Sequence, residues 1–132
     1  MEKCDWCAGL AIVEDERDLV RVYIRLFEKR GIPVCFVAYE GNEAILKFIA
    51  STPKPHIVLM DYRLPVMNGI EVTKRILEID PDTKIIFLSA DTGVKEEALE
   101  AGAFTFLAKP VSLNIIMNAV DTIIKTFKDI KF

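Results

Sequence analysis

The sequence has little of what a secreted or membrane protein needs. No apolar run approaches the roughly 18 residues of a membrane-spanning helix, and the N-terminus has no signal-peptide pattern. The 132 residues include only three cysteines, and an odd number of them is typical of a reducing compartment. The formal net charge of −3 disfavours binding to phosphate-rich nucleic acids. We therefore expect a cytoplasmic protein that binds neither membranes nor nucleic acids directly.

Two of the cysteines form a Cys4-x-x-Cys7 motif near the N-terminus. Redox motifs of this kind follow a strand and open a helix, whereas this one precedes the first predicted strand. A structural zinc site usually has four ligands, and only Cys35 and His56 remain to complete one. Both observations disfavour a redox or metal role for the motif, and we treat residues 1–7 as an N-terminal extension.

Five short apolar runs alternate with five amphipathic segments along the chain. The apolar runs predict strands, and the amphipathic segments predict helices. Asn68, with Glu71 three residues later, predicts a capping box, and Gly31 is the glycine expected after the end of the first helix. The predicted strands cover residues 8–13, 34–38, 56–60, 84–88 and 104–107, and the predicted helices cover 16–30, 42–50, 68–78, 92–100 and 112 onward.

This alternation predicts an α/β fold with helices on both faces of a parallel sheet. The first, third and fourth strands are the most continuously apolar, which places them at the centre of the sheet. The result is a doubly wound (βα)5 sandwich with strand order 2-1-3-4-5. We expect a single domain over residues 1–132, with a C-terminal tail at 128–132. Helical spacing predicts that Val22, Ile49 and Leu113 face the core.

Polar residues follow the strands at the edge of the sheet where their carboxyl ends meet. Glu14 and Asp15 follow the first strand, and Asp61, Ser89 and Lys109 follow the third, fourth and fifth. Ligands of such sheets bind at this edge. Clustered carboxylates repel one another unless a cation lies among them, and hard oxygen ligands suit Mg²⁺. Because a carboxylate is a competent nucleophile toward phosphorus, the set indicates phosphoryl transfer to an acid.

Five motifs at these strand ends are similar to those of the receiver domains of two-component response regulators. The resemblance covers residues 8–127 and implies the doubly wound receiver fold. Glu14 and Ser89 replace the more usual aspartate and threonine, and the cysteine-bearing start has no counterpart in the family. The matching motifs are Val13-Glu14-Asp15, Met60-Asp61, Leu64-Pro65-Val66-Met67-Asn68-Gly69, Leu88-Ser89-Ala90 and Ala108-Lys109-Pro110.

The resemblance implies a phosphorylation site with a divalent cation. Asp61 is the expected phosphoacceptor. Glu14, Asp15, Asp61 and the backbone carbonyl of Arg63 are the expected ligands of Mg²⁺ or Mn²⁺. Arg63 and Asp91 fall where the family tunes the lifetime of the phosphoryl group.

The resemblance also implies a switch beside that site. Ser89 and Lys109 are expected to bind the phosphoryl group, and Phe106 falls at the switch aromatic of the family. From the residues alone, Phe106 is more typical of core or edge packing. Gly69 and Pro110 are expected to be structural, with a cis peptide bond between Lys109 and Pro110.

The implied function is that of a signalling switch in a His-Asp phosphorelay. A sensor histidine kinase or phosphotransfer protein would donate the phosphoryl group, and the face of helix four, strand five and helix five would change. That face would regulate a downstream protein or an output domain, or form a phosphorylation-dependent dimer. The chain is not expected to be an enzyme, although it would assist its own phosphorylation and dephosphorylation.

Two other functions fit the same fold. A degenerate receiver would act as a phosphorylation-independent binding module, which the intact Asp61 and Lys109 disfavour. A flavodoxin-like flavin-binding protein would carry a Ser/Thr/Gly-rich, anion-binding loop after the first strand. This chain instead carries Glu14, Asp15 and Glu16 there, and these acids repel anions.

Overall fold

The computed structural model describes the backbone of residues 9–131 and the side chains of residues 9–127. The predicted extension at residues 1–7, with Cys4 and Cys7, lies outside the described residues. All five strands form one parallel sheet in the order β2-β1-β3-β4-β5, which confirms the predicted topology. The strands are β1 (Leu10–Val13), β2 (Val34–Ala38), β3 (Ile57–Asp61), β4 (Lys84–Ser89) and β5 (Thr105–Ala108).

Five α-helices flank the sheet. The last of them continues through residue 131, so the predicted tail at 128–132 is helical as far as it is described. None of the helices in the described part of the chain combines the length and apolar character needed to cross a membrane. The helices are α1 (Arg17–Lys29), α2 (Gly41–Ala50), α3 (Gly69–Ile79), α4 (Lys95–Glu100) and α5 (Leu113–Lys131).

The segment before α4 differs from the prediction. A 3₁₀ turn covers Thr92–Val94, and α4 itself has only 6 residues. The side chain of Asp91 accepts a hydrogen bond from the Gly93 N–H at 2.9 Å. Local bonds of this kind compete with helix formation, and glycine has a low helix propensity, so the chain turns before the α-helix begins.

Local sequence signals define the start of α3 and the end of α1. The side chain of Asn68 accepts hydrogen bonds from the N–H groups of Ile70 and Glu71, and the Glu71 side chain accepts one from the Asn68 N–H. This is the predicted capping box, and it starts α3 directly after the loop that follows Asp61. Beyond α1, Gly31 has a φ of +72°, a conformation that glycine adopts without strain.

The sheet separates two apolar layers. α2, α3 and α4 pack on one face, and α1 and α5 pack on the other. Every residue of β1 and β3 is buried, as expected of central strands in a parallel sheet. Three predicted core positions are wrong, because Val22, Ile49 and Leu113 are 43%, 53% and 37% exposed. A helix on one face of a sheet buries a stripe only about 100° wide, and apolar residues beside it stay exposed.

Candidate functional site

The strand ends bring the predicted site residues to one edge of the sheet. Glu14 follows β1, Asp61 ends β3 and Ser89 ends β4. The last residue of β5, Ala108, is paired with Ser89, so Lys109 emerges beside them. Glu14, Asp61 and Ser89 are 2%, 4% and 2% exposed. These three polar residues therefore form the floor of the site.

The ammonium group of Lys109 bridges two buried carboxylates. Its Nζ lies 2.7 Å from Asp61 Oδ1 and 3.0 Å from Glu14 Oε1. Burial opposes protonation of this lysine, but the two carboxylates outweigh it and raise the pKa of Lys109 above its usual range. Lys109 is therefore a fixed positive charge at the site.

Three carboxylates form a compact cluster with donors for a cation. Glu14, Asp15 and Asp61 each place a carboxylate oxygen within 4.8 Å of the others. Burial, and then the charge of Asp61, raises the pKa of Glu14. Burial also raises the pKa of Asp61, against the opposing effect of Lys109. A divalent cation would relieve this repulsion, and carboxylate oxygens are ligands that Mg²⁺ prefers, so the donor set fits that ion.

The Ser89 hydroxyl connects the site to the 3₁₀ turn. It donates a hydrogen bond to the Asp91 carbonyl at 3.1 Å and accepts one from the Asp91 N–H at 2.9 Å. Phe106, on the adjacent strand, is partly buried, and its ring stacks on Phe87 with 6.0 Å between centroids. That contact agrees with the packing role expected of Phe106.

An open cleft of about 540 Å³ begins at Asp15. Arg63 and Asp91, which were predicted to tune the lifetime of the phosphoryl group, both line this cleft. Both side chains are exposed. Their roles, and the ligand role of the Arg63 carbonyl, stay predictions.

The two residues predicted to be structural act in different ways. The Gly69 N–H donates a hydrogen bond to the Tyr62 carbonyl at 2.8 Å. A Cβ atom at Gly69 would overlap the carbonyl oxygen of Asp61, so only glycine lets α3 begin this close to the end of β3. The peptide bond between Lys109 and Pro110 is cis, as predicted.

Two features near the site were not predicted from the sequence. Val66, in the loop between β3 and α3, is 95% exposed and has a φ of +68°. Valine gives no signal for this conformation, which glycine or asparagine normally adopts. Arg17 lies over the ring of Tyr39, with 3.9 Å between the guanidinium carbon and the ring centroid. No local pattern could pair two residues this far apart in the sequence.

Comparisons with known proteins give the family. The sequence matches the family model for the response regulator receiver domain over residues 10–121. It is 35% identical over 117 residues to the chemotaxis protein CheY of Thermotoga maritima, covering 86% of this chain and 96% of the relative. It is 39% identical over 116 residues to the transcriptional regulatory protein LnrK of Bacillus subtilis, covering 85% of this chain but only about half (52%) of that relative.

A solved structure gives the same result. The structure of the CheX–CheY–BeF₃–Mg²⁺ complex from Borrelia burgdorferi superimposes with a TM-score of 0.82 at 28% identity, covering 87% of each chain. The chain therefore belongs to the receiver domain family of two-component response regulators. Members of this family are regulatory, and phosphorylation and Mg²⁺ binding are characteristic of them.

Proposed function

We propose that this chain is a phosphoacceptor switch in which Asp61 receives a phosphoryl group. The observation that carries the proposal is the contact of Lys109 with both Asp61 and Glu14 inside a cluster of three carboxylates. A purely structural ion pair needs one carboxylate for one lysine. This site holds two further acids, and that excess of negative charge suits a cation and an incoming phosphoryl group.

The divalent cation would be held by Glu14, Asp15 and Asp61, with the Arg63 carbonyl as a further ligand. Mg²⁺ is the expected ion, and Mn²⁺ has the same preference for oxygen ligands. When bound, it would neutralise negative charge on the phosphoryl oxygens during transfer.

The chain's own residues carry out the rest of the reaction. A carboxylate oxygen of Asp61 attacks the phosphorus of a phosphohistidine on a sensor histidine kinase or phosphotransfer protein. The new O–P bond forms as the P–N bond breaks, and the imidazole nitrogen keeps the electron pair. Lys109, already 2.7 Å from Asp61 Oδ1, is in reach of the phosphoryl oxygens. Arg63 and Asp91 would set how readily water reaches the acyl phosphate and removes the group.

The phosphorylated state would differ on the face of α4, β5 and α5. The added dianion competes for the Ser89 hydroxyl, which now binds the backbone of Asp91. Loss of those bonds would release the 3₁₀ turn that precedes α4, and Phe106 would repack. The partner is a downstream protein, an output domain or a second phosphorylated copy. The cytoplasmic location expected from the sequence belongs to the same proposal.

Intact-mass measurement with a small phosphodonor tests the proposal. The chain is incubated with phosphoramidate, with and without Mg²⁺, beside an Asp61→Asn variant and an Asp82→Asn variant that loses an exposed carboxylate. We expect one phosphoryl adduct that requires Mg²⁺ and that only the Asp61→Asn variant lacks. No adduct and no Mg²⁺-dependent binding of beryllofluoride would contradict the switch and favour a phosphorylation-independent binding module.

A further inference from the structure

A contact between Arg17 and Tyr39 lies at the same edge of the sheet as the carboxylate cluster. Arg17 is the first residue of α1, and Tyr39 directly follows β2. Their separation of 3.9 Å from guanidinium carbon to ring centroid is well within the range of cation–π attraction. Because β1 and β2 are paired, the contact joins the loops that follow these two strands.

Tyr39 provides a fixed platform for this contact. Its side chain packs against the apolar layer of α1 and α5, and its backbone N–H donates a 2.7 Å hydrogen bond to Glu43. Glu43 is also paired with Lys47 at 2.8 Å. Hydrogen bonds from Lys47 and from the Tyr39 N–H, and the nearby charge of Arg17, hold the pKa of Glu43 below its usual range. Tyr39 is therefore anchored to α2 through its backbone and to the core through its side chain.

Asp15 is the least constrained carboxylate of the cluster. Glu14 is fixed by Lys109 and by a 3.2 Å hydrogen bond from the Glu16 N–H. Asp15 is exposed, and within residues 9–127 no hydrogen bond or ion pair holds its side chain. A carboxylate side chain that is free to change rotamer must lose conformational freedom when it binds a cation, which weakens binding. The position of Asp15 therefore depends on what anchors its loop.

We infer that Arg17, stacked on Tyr39, is a positioning residue for the cation site. The stacked pair anchors the loop between β1 and α1 two residues beyond Asp15, and it keeps the Asp15 carboxylate within reach of Glu14 and Asp61. This inference rests on the proposed function, because it concerns the cation that the cluster would bind. It adds two residues that lie outside the cluster and do not contact the phosphoryl group.

Because Arg17 is charged, the direction in which its removal changes cation affinity tests the inference. A positive charge near the cluster repels a divalent cation, so its removal alone should strengthen cation binding. Loss of an anchor should weaken cation binding instead. Arg21 offers a matched control, because it lies in the same helix with an exposed side chain that is paired with Asp18 at 2.6 Å.

The experiment is a Mg²⁺ titration of the full chain, followed by amide NMR shifts around the cluster. The variants are Arg17→Met, Tyr39→Leu, the double variant, Tyr39→Phe and the Arg21→Met control. We expect Arg17→Met and Tyr39→Leu each to raise the Mg²⁺ dissociation constant about two- to fivefold. The double variant should be no weaker than either single one, and Tyr39→Phe, which keeps the ring, should match the wild type. The phosphoramidate reaction at saturating Mg²⁺ should keep its rate.

Two results would overturn the inference while leaving the proposed function intact. One is an Arg17→Met variant that binds Mg²⁺ as tightly as the wild type or more tightly. The other is a double variant whose loss is the sum of the two single losses, which would show that the residues act separately. A wild type whose cluster amides show no response to Mg²⁺ would instead remove the proposed function itself.

Discussion

At the scale of single residues, the site holds more negative charge than its lysine can compensate. Lys109 contacts both Glu14 and Asp61, yet the pKa of each carboxyl group stays above its usual range, mainly because both are buried. A carboxyl group whose pKa is raised in the folded state destabilises the fold when it is ionised. Without a cation, the cluster therefore lowers the stability of the chain, and cation binding should restore it.

The first prediction concerns Asp61→Asn, which should raise the free energy of unfolding at pH 7. The amide removes a buried charge that the fold disfavours. In the wild type this penalty is absent below the pKa that Asp61 has in the unfolded chain. It appears as the pH rises through the higher pKa that Asp61 has in the folded chain. The stability that Asp61→Asn gains over the wild type should therefore decrease as the pH falls through the folded-state pKa of Asp61.

Urea unfolding at pH 7 and in mild acid, without divalent cations, measures the effect. Asp82→Asn, which changes an exposed carboxylate, is the matched control and should change stability little. An Asp61→Asn variant less stable than the wild type at pH 7 would contradict this account of the cluster.

The second prediction concerns Val66, whose φ of +68° is strained for any residue with a Cβ. This conformation costs an L-residue about 1–2 kcal/mol, and the added freedom of glycine in the unfolded chain offsets about 0.4–1 kcal/mol of that. Val66→Gly should therefore raise the free energy of unfolding by about 1 kcal/mol or slightly less. Chemical denaturation measures it. Val66→Ala keeps a Cβ atom in the strained conformation, so its free energy of unfolding should not rise. An equal rise in Val66→Ala would mean that the exposure of the valine side chain, and not backbone strain, is responsible.

At the scale of elements, α3 begins directly against the end of β3. The N–H of Gly69 binds the Tyr62 carbonyl, and the capping box of Asn68 and Glu71 fixes the helix start. The end of β3 carries Asp61, so the position of the phosphoacceptor depends on how closely α3 approaches. A change at Gly69 should therefore alter both stability and the site.

The third prediction compares Gly69→Ala with Gly31→Ala. At Gly69 the new methyl group would overlap the Asp61 carbonyl, and such overpacking costs about 1–3 kcal/mol. At Gly31 nothing lies within 4 Å, so only the positive φ is unfavourable, at about 1–2 kcal/mol. Both variants should be less stable in denaturant, but only Gly69→Ala should slow phosphorylation by phosphoramidate. Equal phosphorylation rates would show that the approach of α3 does not position Asp61.

The fourth prediction concerns the link between Ser89 and α4. The hydroxyl of Ser89 holds the backbone of Asp91, and the short helix that follows is expected to open easily. In the wild type, phosphorylation should change amide hydrogen exchange across residues 92–100. Ser89→Ala should lose most of this change, whereas Ser51→Ala, a hydroxyl away from the site, should keep it. If Ser89→Ala shows the wild-type difference, the hydroxyl does not couple the site to α4.

At the scale of the whole molecule, the topology was predictable because a parallel sheet buries both faces of its central strands. The resulting continuous apolar runs at residues 8–13, 57–60 and 85–88 mark the centre of the sheet, and the strand order follows from them. The location of Glu14, Asp61 and Lys109 was predictable for the same reason, since parallel strands end at one edge.

Other features depend on contacts that no local pattern carries. Lys109 contacts Glu14 and Asp61, and Arg17 stacks on Tyr39. Each of these contacts joins residues that are remote in sequence. The exposure of Ile49 depends on how α2 sits on the sheet, which its apolar spacing does not specify. The 3₁₀ turn before α4 involves hydrogen bonds of Asp91 with the Ser89 hydroxyl and the Gly93 N–H, which helical spacing in the sequence does not specify.

The most direct test of the central claim locates the phosphoryl group on the chain. The protein is phosphorylated with phosphoramidate and Mg²⁺ and then treated with borohydride, which reduces an aspartyl phosphate to homoserine, and the peptides are sequenced by mass spectrometry. The account predicts homoserine at position 61, dependent on Mg²⁺ and on the phosphodonor. Reduction at another acidic residue, or an unreduced Asp61 in a chain that carries the adduct, would contradict it.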